Sequence, residues 1–352
     1  MPTVATLNLQ DKNTFADWRT FLTSLDIHNF QENELTTIDL TIGIYDEAGK
    51  LVATGSIAGN ILKYIGVCNK DSAKGTYFNT IISELMNHLA QQGIFHLFVF
   101  TKLKYAQSFQ HVGFHQLAHT TEGALLETGD TNVSTYVQSI PRIADQDKKA
   151  IASIVMNANP FTLGHRYLVE TAAKANDLVY VFVVNNDVSL FPTAARLQLV
   201  QEGTSDLKNV QVVNGADYMV SYATFPAYFL PTPDAAIKYQ TTLDARIFKH
   251  QIAPALNIRK RYLGSEPLSR TTDIYNQTLK KELPPEIQVV VIPRLTGSTN
   301  QVITATQVRQ AIRTGQLATI EASVPATTFT FIKSNLQKLQ QRIQKGMNID
   351  GN

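Results

Sequence analysis

From Ile151 onward the chain alternates between β-rich and helix-periodic segments, and this alternation narrows the fold more than any other feature. Strand character fits Ile151–Met156, Leu178–Val184, Val210–Val213, Arg261–Gly264 and Gln288–Ile292. Helical spacing fits Gly164–Asn176, Thr193–Gly203, Ala235–Pro254, Arg270–Glu282 and Thr306–Thr314. Strands separated by helices pair in parallel, and the helices cover both faces of the sheet. In such sheets a ligand sits beyond the carboxyl ends of the strands, where strand order reverses. The end of the first strand is therefore a prime position for chemistry.

At that position the strand runs into Asn157-Ala158-Asn159-Pro160-Phe161-Thr162-Leu163-Gly164-His165 and then a helix. Pro160 and Gly164 shape the turn, and Gly164, lacking a Cβ, lets backbone approach a ligand. A helix N-terminus presents free N–H groups and a partial positive charge, which suits phosphate oxygens. Thr162 can donate a hydroxyl and His165 an imidazole N–H. Donors fixed in this way stabilise the charge that builds on phosphoryl oxygens in a transition state. A second motif, Ile303-Thr304-Ala305-Thr306-Gln307-Val308-Arg309, follows the last strand and opens a helix. Thr304 and Thr306 can cap that helix and touch phosphate. Arg309 lies about one turn in, within reach of the same phosphates. Either motif alone reads as a capped turn; the two at one end of one sheet point to phosphate chemistry.

The first half has a different texture. A helix is expected around Thr14–Leu25, then strands at Ile38–Tyr45, Leu51–Ile57 and Ile61–Val67, the first two joined by a hairpin turn over Asp46–Lys50. Apolar residues at helical spacing over Gly75–Gln92 stop at Gly93. A strand at His96–Phe100, a short helix at Tyr105–His111 and a strand opening at Gly113-Phe114 complete an α+β unit. Residues 126–150 are polar and hold Gly129, Pro141 and a charged run, which marks a domain boundary. His111 and His115 are four apart, but Gly113 breaks the helix that paired metal ligation would need, so they read as surface histidines. The last helix, Thr328–Gln344, carries an apolar stripe and a solvated basic face.

Bulk properties fit two domains: 352 residues, 44% hydrophobic and 17% charged, enough to bury real cores. A net charge of +2 argues against a dedicated nucleic-acid or membrane surface. The N-terminus lacks a signal-peptide pattern, and no stretch is apolar for long enough to span a bilayer. Cys68 is the only cysteine, which excludes an internal disulfide framework and a cysteine-based zinc site, and no other metal site is read. Together these predict a soluble cytoplasmic protein.

Residues 151–335 resemble the nucleotidylyltransferase superfamily, whose signatures are H/T-x-G-H and I-S-x-S/T-x-x-R; Thr304 stands where the second usually has Ser. Within it the chain is similar to the citrate lyase ligase family. The likeness is carried by Ser153–Thr162, His165-Arg166-Tyr167-Leu168, Ala223–Phe229, Gly264-Ser265-Glu266-Pro267 and Tyr275-Asn276-Gln277. It implies an α/β chain with a GNAT-like α+β domain over residues 1–145, a Rossmann-like parallel-sheet nucleotidylyltransferase domain over 150–335, and a C-terminal helix and tail over 336–352. It further implies that Thr162, His165 and Arg309 carry the chemistry on ATP, with Asn157, Asn159, Pro160, Phe161, Gly164, Thr304 and Thr306 around the nucleotide. Gly264, Ser265, Glu266 and Arg270 would lie nearby, although Glu266 and Arg270 equally suit a charge pair at a helix start. Arg196 is a further candidate that more readily reads as a solvated helix arginine.

The implied substrates are ATP, with Mg²⁺ on its phosphates, acetate, and the prosthetic-group thiol of the citrate lyase acyl carrier subunit. Other readings are an adenylyltransferase acting on a phosphorylated metabolite such as phosphopantetheine, or a non-catalytic module that binds a CoA-like arm. In the first half, Ser72-Ala73-Lys74-Gly75-Thr76-Tyr77 resembles the acetyl-CoA pyrophosphate loop, R/Q-x-x-G-x-G/A, of GNAT acetyltransferases. Only Gly75 matches it, which implies the fold without acetyl-CoA catalysis.

Overall fold

The computed structural model describes residues 3–30, 32–68, 74–185, 187–219, 230, 232–265, 270–295, 303–347 and 349. Two compact units separate: Met1–Thr135 with Phe225–Leu243, and Tyr136–Thr224 with Asp244–Asn352.

The first unit runs β1 (Val4–Thr6), α1 (Lys12–Thr23), α2 (Glu32–Leu35), β2 (Leu40–Tyr45), β3 (Leu51–Ala58), β4 (Ile61–Val67), α3 (Lys74–Gln91), β5 (Leu97–Lys102), α4 (Ala106–His111), β6 (His115–His119) and β7 (Gly123–Thr128), with α5 (Val133–Ser139) following. Its seven strands lie in the order β1-β2-β3-β4-β5-β7-β6. All pairs are antiparallel except β4–β5, which meet in parallel through Ile61↔Phe98 and Leu62↔Val99. This is the α+β architecture expected. Asp11 caps α1 by accepting from the Thr14 N–H at 2.9 Å, and the helix buries Trp18, Phe21 and Leu22 at i, i+3, i+4 spacing. Helix α3 buries Ile81, Ile82, Leu85 and Leu89 on one stripe. Gly113 takes a φ of 93°, a turn that only glycine adopts without strain, and Phe114 behind it is buried. Gly75 stands in the first turn of α3 and Tyr77 packs against the core; Ser72 and Ala73 of the loop lie outside the described residues.

Sequence reasoning passed over β7 and placed the start of a polar linker in it. The strand carries Glu127, whose side chain is 2% exposed. Its carboxylate is met by His96 Nε2 at 2.8 Å and the Val133 N–H at 3.0 Å. A charge satisfied across strands hides a buried strand from a hydrophobicity pattern.

The second unit runs β8 (Ile151–Met156), α6 (Leu163–Lys174), β9 (Leu178–Val183), α7 (Thr193–Gly203), β10 (Val210–Asn214), β11 (Ile258–Gly264), α9 (Arg270–Glu282), β12 (Gln288–Ile292), α10 (Ala305–Thr314) and α11 (Ala326–Gln344), while α8 (Pro233–Ile247), between β10 and β11 in the chain, belongs to the first unit up to Leu243. Its five strands are all parallel, in the order β10-β9-β8-β11-β12. The alternation read from the sequence is thus a doubly wound sheet. Every residue of β9 is buried, as expected of a strand with both faces covered. Strand order reverses at β8, so the crevice for a ligand opens where β8 ends. Helix α8 continues into a π-helical turn over Phe248–Ile252. Among the described residues, no helix is long and apolar enough to cross a membrane.

Candidate active site

Past Met156 the chain makes a tight, buried turn: Ala158 holds a φ of 50°, the Asn159–Pro160 peptide is cis, and Ala158 and Asn159 are 1% and 3% exposed. A loop this buried must have its carbonyls paired. Two arginines supply the donors. Arg196, on α7, donates from Nη1 to the Asn157 carbonyl (2.8 Å), the Asn157 Oδ1 (2.9 Å) and the Val184 carbonyl (2.8 Å). Its Nε reaches the Phe191 carbonyl at 2.9 Å and its Nη2 the Thr193 hydroxyl at 2.8 Å. It is 0% exposed, so the solvated reading is corrected: Arg196 is the internal clamp of the loop. Burial lowers its pKa to about 10, partly opposed by Asp187, and it stays protonated at neutral pH. Arg309, also 0% exposed, holds the other side, donating from Nη1 to the Asn159 carbonyl at 2.6 Å.

Thr162 ends the turn as the N-cap of α6. Its hydroxyl accepts from the His165 N–H at 3.4 Å, and its own N–H donates to His165 Nδ1 at 3.1 Å. This is a capping box with histidine in the position where Glu or Gln is usual. Since Nδ1 accepts, the neutral ring carries its proton on Nε2. Burial, then the positive charges of Arg294 and Arg309, lower the His165 pKa from 6.5 to about 4. Near pH 7 His165 is therefore a neutral N–H donor at a helix N-terminus. Its ring stacks on Phe161 with centroids 5.9 Å apart.

A cavity of about 500 Å³ opens over this turn, between the ends of β8, β11 and β12 and the first turns of α6 and α10. It brings together Asn157, Asn159, Thr162, Gly164, His165, Gly264, Thr304 and Thr306 from the sequence-derived set. Gly264 has open space where a Cβ would stand, so no contact within the protein requires glycine there. At Gly164 a Cβ would meet the Ile303 carbonyl and Thr162 Oγ1 at 3.6 Å, an ordinary contact, so what glycine spares there is room rather than a clash. Phe161 is buried beneath the turn, its ring filling the space against Gly203. Arg270 is exposed at the start of α9. Ser265 faces Arg294, its hydroxyl accepting the Arg294 N–H at 3.2 Å and its carbonyl accepting from Nε at 2.8 Å. Glu266 lies outside the described residues, as do Ala223–Phe229.

The cavity also contains Arg294, just past β12, which sequence reasoning missed, and Tyr275 and Asn276 on α9, which it singled out as part of the family likeness without a place in the site. Asn276 Nδ2 donates to the Gly264 carbonyl at 3.1 Å, tying α9 to the end of β11. The Tyr275 hydroxyl donates to Asp244 Oδ2 at 2.9 Å and accepts from Arg261 Nη2 at 3.2 Å. Burial, reinforced by the Asp244 carboxylate, raises its pKa and keeps it un-ionised. Arg294 carried one available signal, its position at the carboxyl end of a parallel strand. Among the described residues, no group of three or more His, Cys, Asp or Glu side chains could hold a metal ion.

The second unit is a doubly wound parallel-sheet α/β domain with a Thr–His helix cap at its switch point. Residues 151–332 match the family model described as the citrate lyase ligase C-terminal domain. The chain is 36% identical over 323 residues to the [citrate [pro-3S]-lyase] ligase of Escherichia coli (strain K12), an alignment covering 88% of this chain and 90% of that one. It is 36% identical over 289 residues to the [citrate [pro-3S]-lyase] ligase of Klebsiella pneumoniae, covering 80% and 84%. The chain belongs to the citrate lyase ligase family and is a ligase. A solved GNAT-family acetyltransferase from Staphylococcus aureus aligns with 37% of this chain and 100% of its own at 11% identity and a TM-score of 0.30.

Proposed function

We propose that the chain uses ATP to acetylate the prosthetic-group thiol of the citrate lyase acyl carrier subunit, with acetate as the acyl donor and acetyl adenylate as the intermediate. The observation that carries the nucleotide reading is the capping box of α6, with a neutral His165 fixed as an Nε2–H donor on the wall of the cavity. In this reading an acetate oxygen attacks the α-phosphorus in line. The bond from that phosphorus to the bridging oxygen breaks, and pyrophosphate leaves. The carrier thiol then attacks the acetyl carbon; AMP leaves, a thioester forms, and the thiol proton passes to solvent.

Catalysis by positioning suits this step, because little covalent work falls to the protein. Thr162, His165 and the first N–H groups of α6 face the phosphates, Thr306 faces them from α10, and Arg309 secures the loop from behind. Asn157 and Asn159 line the cavity at the turn, and Gly264 leaves room for the nucleotide. Mg²⁺ travels with the triphosphate, held mainly by its oxygens. The first unit, with Gly75 at a helix start, would present the CoA-like arm rather than acetylate amines. The test is exchange of labelled pyrophosphate into ATP. It should require acetate but no carrier. Exchange that is absent with acetate, or AMP transfer to phosphopantetheine instead, would overturn the proposal.

A further inference from the structure

Helix α11 stops in a glycine cap. Gly346 takes a φ of 94°, its N–H donates to the Ile343 carbonyl at 3.0 Å, and the Met347 N–H donates to the Arg342 carbonyl at 3.1 Å. This pair of bonds closes a helix, turns the chain and favours an apolar contact just past the glycine. Met347 packs on the core of the second unit. Ile349, 5% exposed, joins the buried cluster that holds Phe161 and Val308.

The anchored side chain fixes the main chain beside it. The Ile349 carbonyl accepts from Arg309 Nε at 2.8 Å. The same guanidinium donates from Nη1 to the Asn159 carbonyl at 2.6 Å and from Nη2 to the Thr306 hydroxyl at 3.0 Å. One planar group thus joins the segment past α11, the turn after β8 and the first turn of α10. A buried guanidinium loses much by giving up an acceptor, so the seat of Ile349 governs where Arg309 points. Helix α11 braces the turn from a second place. Arg342 donates from Nε to the Leu190 carbonyl at 2.9 Å and from Nη2 to the Ser189 carbonyl at 3.1 Å. The Ser189 hydroxyl accepts from Asn157 Nδ2 at 3.2 Å, and the Phe191 N–H donates to Asn159 Oδ1 at 3.0 Å. Asn157, Asn159 and Thr306 line the cavity, whereas Arg309, Arg342 and Ile349 do not.

We infer that the segment past α11 belongs to the frame of the active site, with Ile349 a positioning residue that acts through Arg309 on the Asn159 turn and Thr306. This rests on the nucleotide reading above. The experiment is acetate-dependent exchange of labelled pyrophosphate into ATP, with kcat and the KM for ATP resolved, at a temperature where melting curves show every chain folded. A chain ending at Gly346 should lose about tenfold or more in kcat, since a misplacement of about 1 Å suffices for such a loss. Its KM for ATP should stay within about twofold, as for an interaction that matters chiefly in the transition state. Full-length Ile349→Ala, which keeps the carbonyl and loosens its anchor, should show a smaller loss of the same kind and carries the test if the shortened chain does not fold. In an Arg309→Ala background, Ile349→Ala should cost no further kcat, because both changes act through one guanidinium. Wild-type kcat in the folded variants would overturn the assignment, and so would losses that add. A wild type without acetate-dependent exchange would overturn the nucleotide reading instead. The link itself would then be read by urea unfolding, where costs of Ile349→Ala and Arg309→Ala that add would overturn it and coupled costs would support it.

Discussion

Helices α6 and α10 begin with the same device and end up with different capacities. In α10 the Thr304 hydroxyl accepts the Gln307 N–H at 3.2 Å and the Gln307 side chain accepts the Thr304 N–H at 3.2 Å. In α6, Thr162 and His165 make the equivalent pair. A glutamine completes its task with one carbonyl oxygen and points to solvent. A histidine accepts with Nδ1 and keeps a second nitrogen for the cavity. The cap therefore chooses the tautomer: the N–H of Thr162 must have an acceptor, so the ring proton goes to Nε2. A requirement of helix folding thus presets a donor for chemistry.

The largest expected effect breaks the comparison at its chemical end. His165→Ala should cut pyrophosphate exchange by about a hundredfold or more, the worth of one preorganised donor to a charged transition state. His165→Gln sharpens it, because it gives α6 the cap that α10 already has. That variant should melt close to wild type and still show the loss; near-normal turnover would mean His165 is a cap and nothing more.

Next in size is an effect of pH that only one of the two caps can show. The His165 pKa is lowered from 6.5 in the unfolded chain to about 4 in the fold, so the unfolded state binds the proton more readily. The stability this neutral ring contributes is fully present above pH 6.5 and is lost as pH falls from there toward 4. Urea midpoints measured at pH 7 and pH 5 should drop more for wild type than for His165→Gln, and Gln307 substitutions should leave that difference unchanged. Equal drops in wild type and His165→Gln would show that the ring is not held neutral.

The smallest effect lies in the caps as caps. Thr304→Ala should cost about 1 kcal/mol of stability, as the loss of an N-cap hydroxyl does, read as a shift in urea midpoint. Thr162→Ala should cost a similar amount and also lower turnover, since its hydroxyl lies 2.9 Å from His165 Nδ1 and helps to fix that ring. Turnover losses of equal size in the two variants would remove the distinction between the helices.

Much of this site could be read along the chain. The five strands of the second unit, the turn after Met156 and both helix starts depend on neighbours a few residues apart, through side-chain period and capping chemistry. The left-out strand β7 marks the limit of that reading, because the charge of Glu127 is answered by His96, thirty-one residues away in sequence. The arginines mark it more sharply. Arg196 read as solvated because its partners are main-chain carbonyls, which every residue has and no sequence pattern reveals. Arg309 was placed by its position in α10, and the carbonyl it meets belongs to Asn159, 150 residues earlier. Arg294 belonged to no motif considered, and only the convergence of β11 and β12 sets it in the cavity wall. The sequence by itself determined where strands end and helices begin, because those are local balances of backbone hydrogen bonds and apolar spacing. The tertiary structure decided where the arginines point, because a guanidinium turns toward whatever acceptors the folded chain gathers around it.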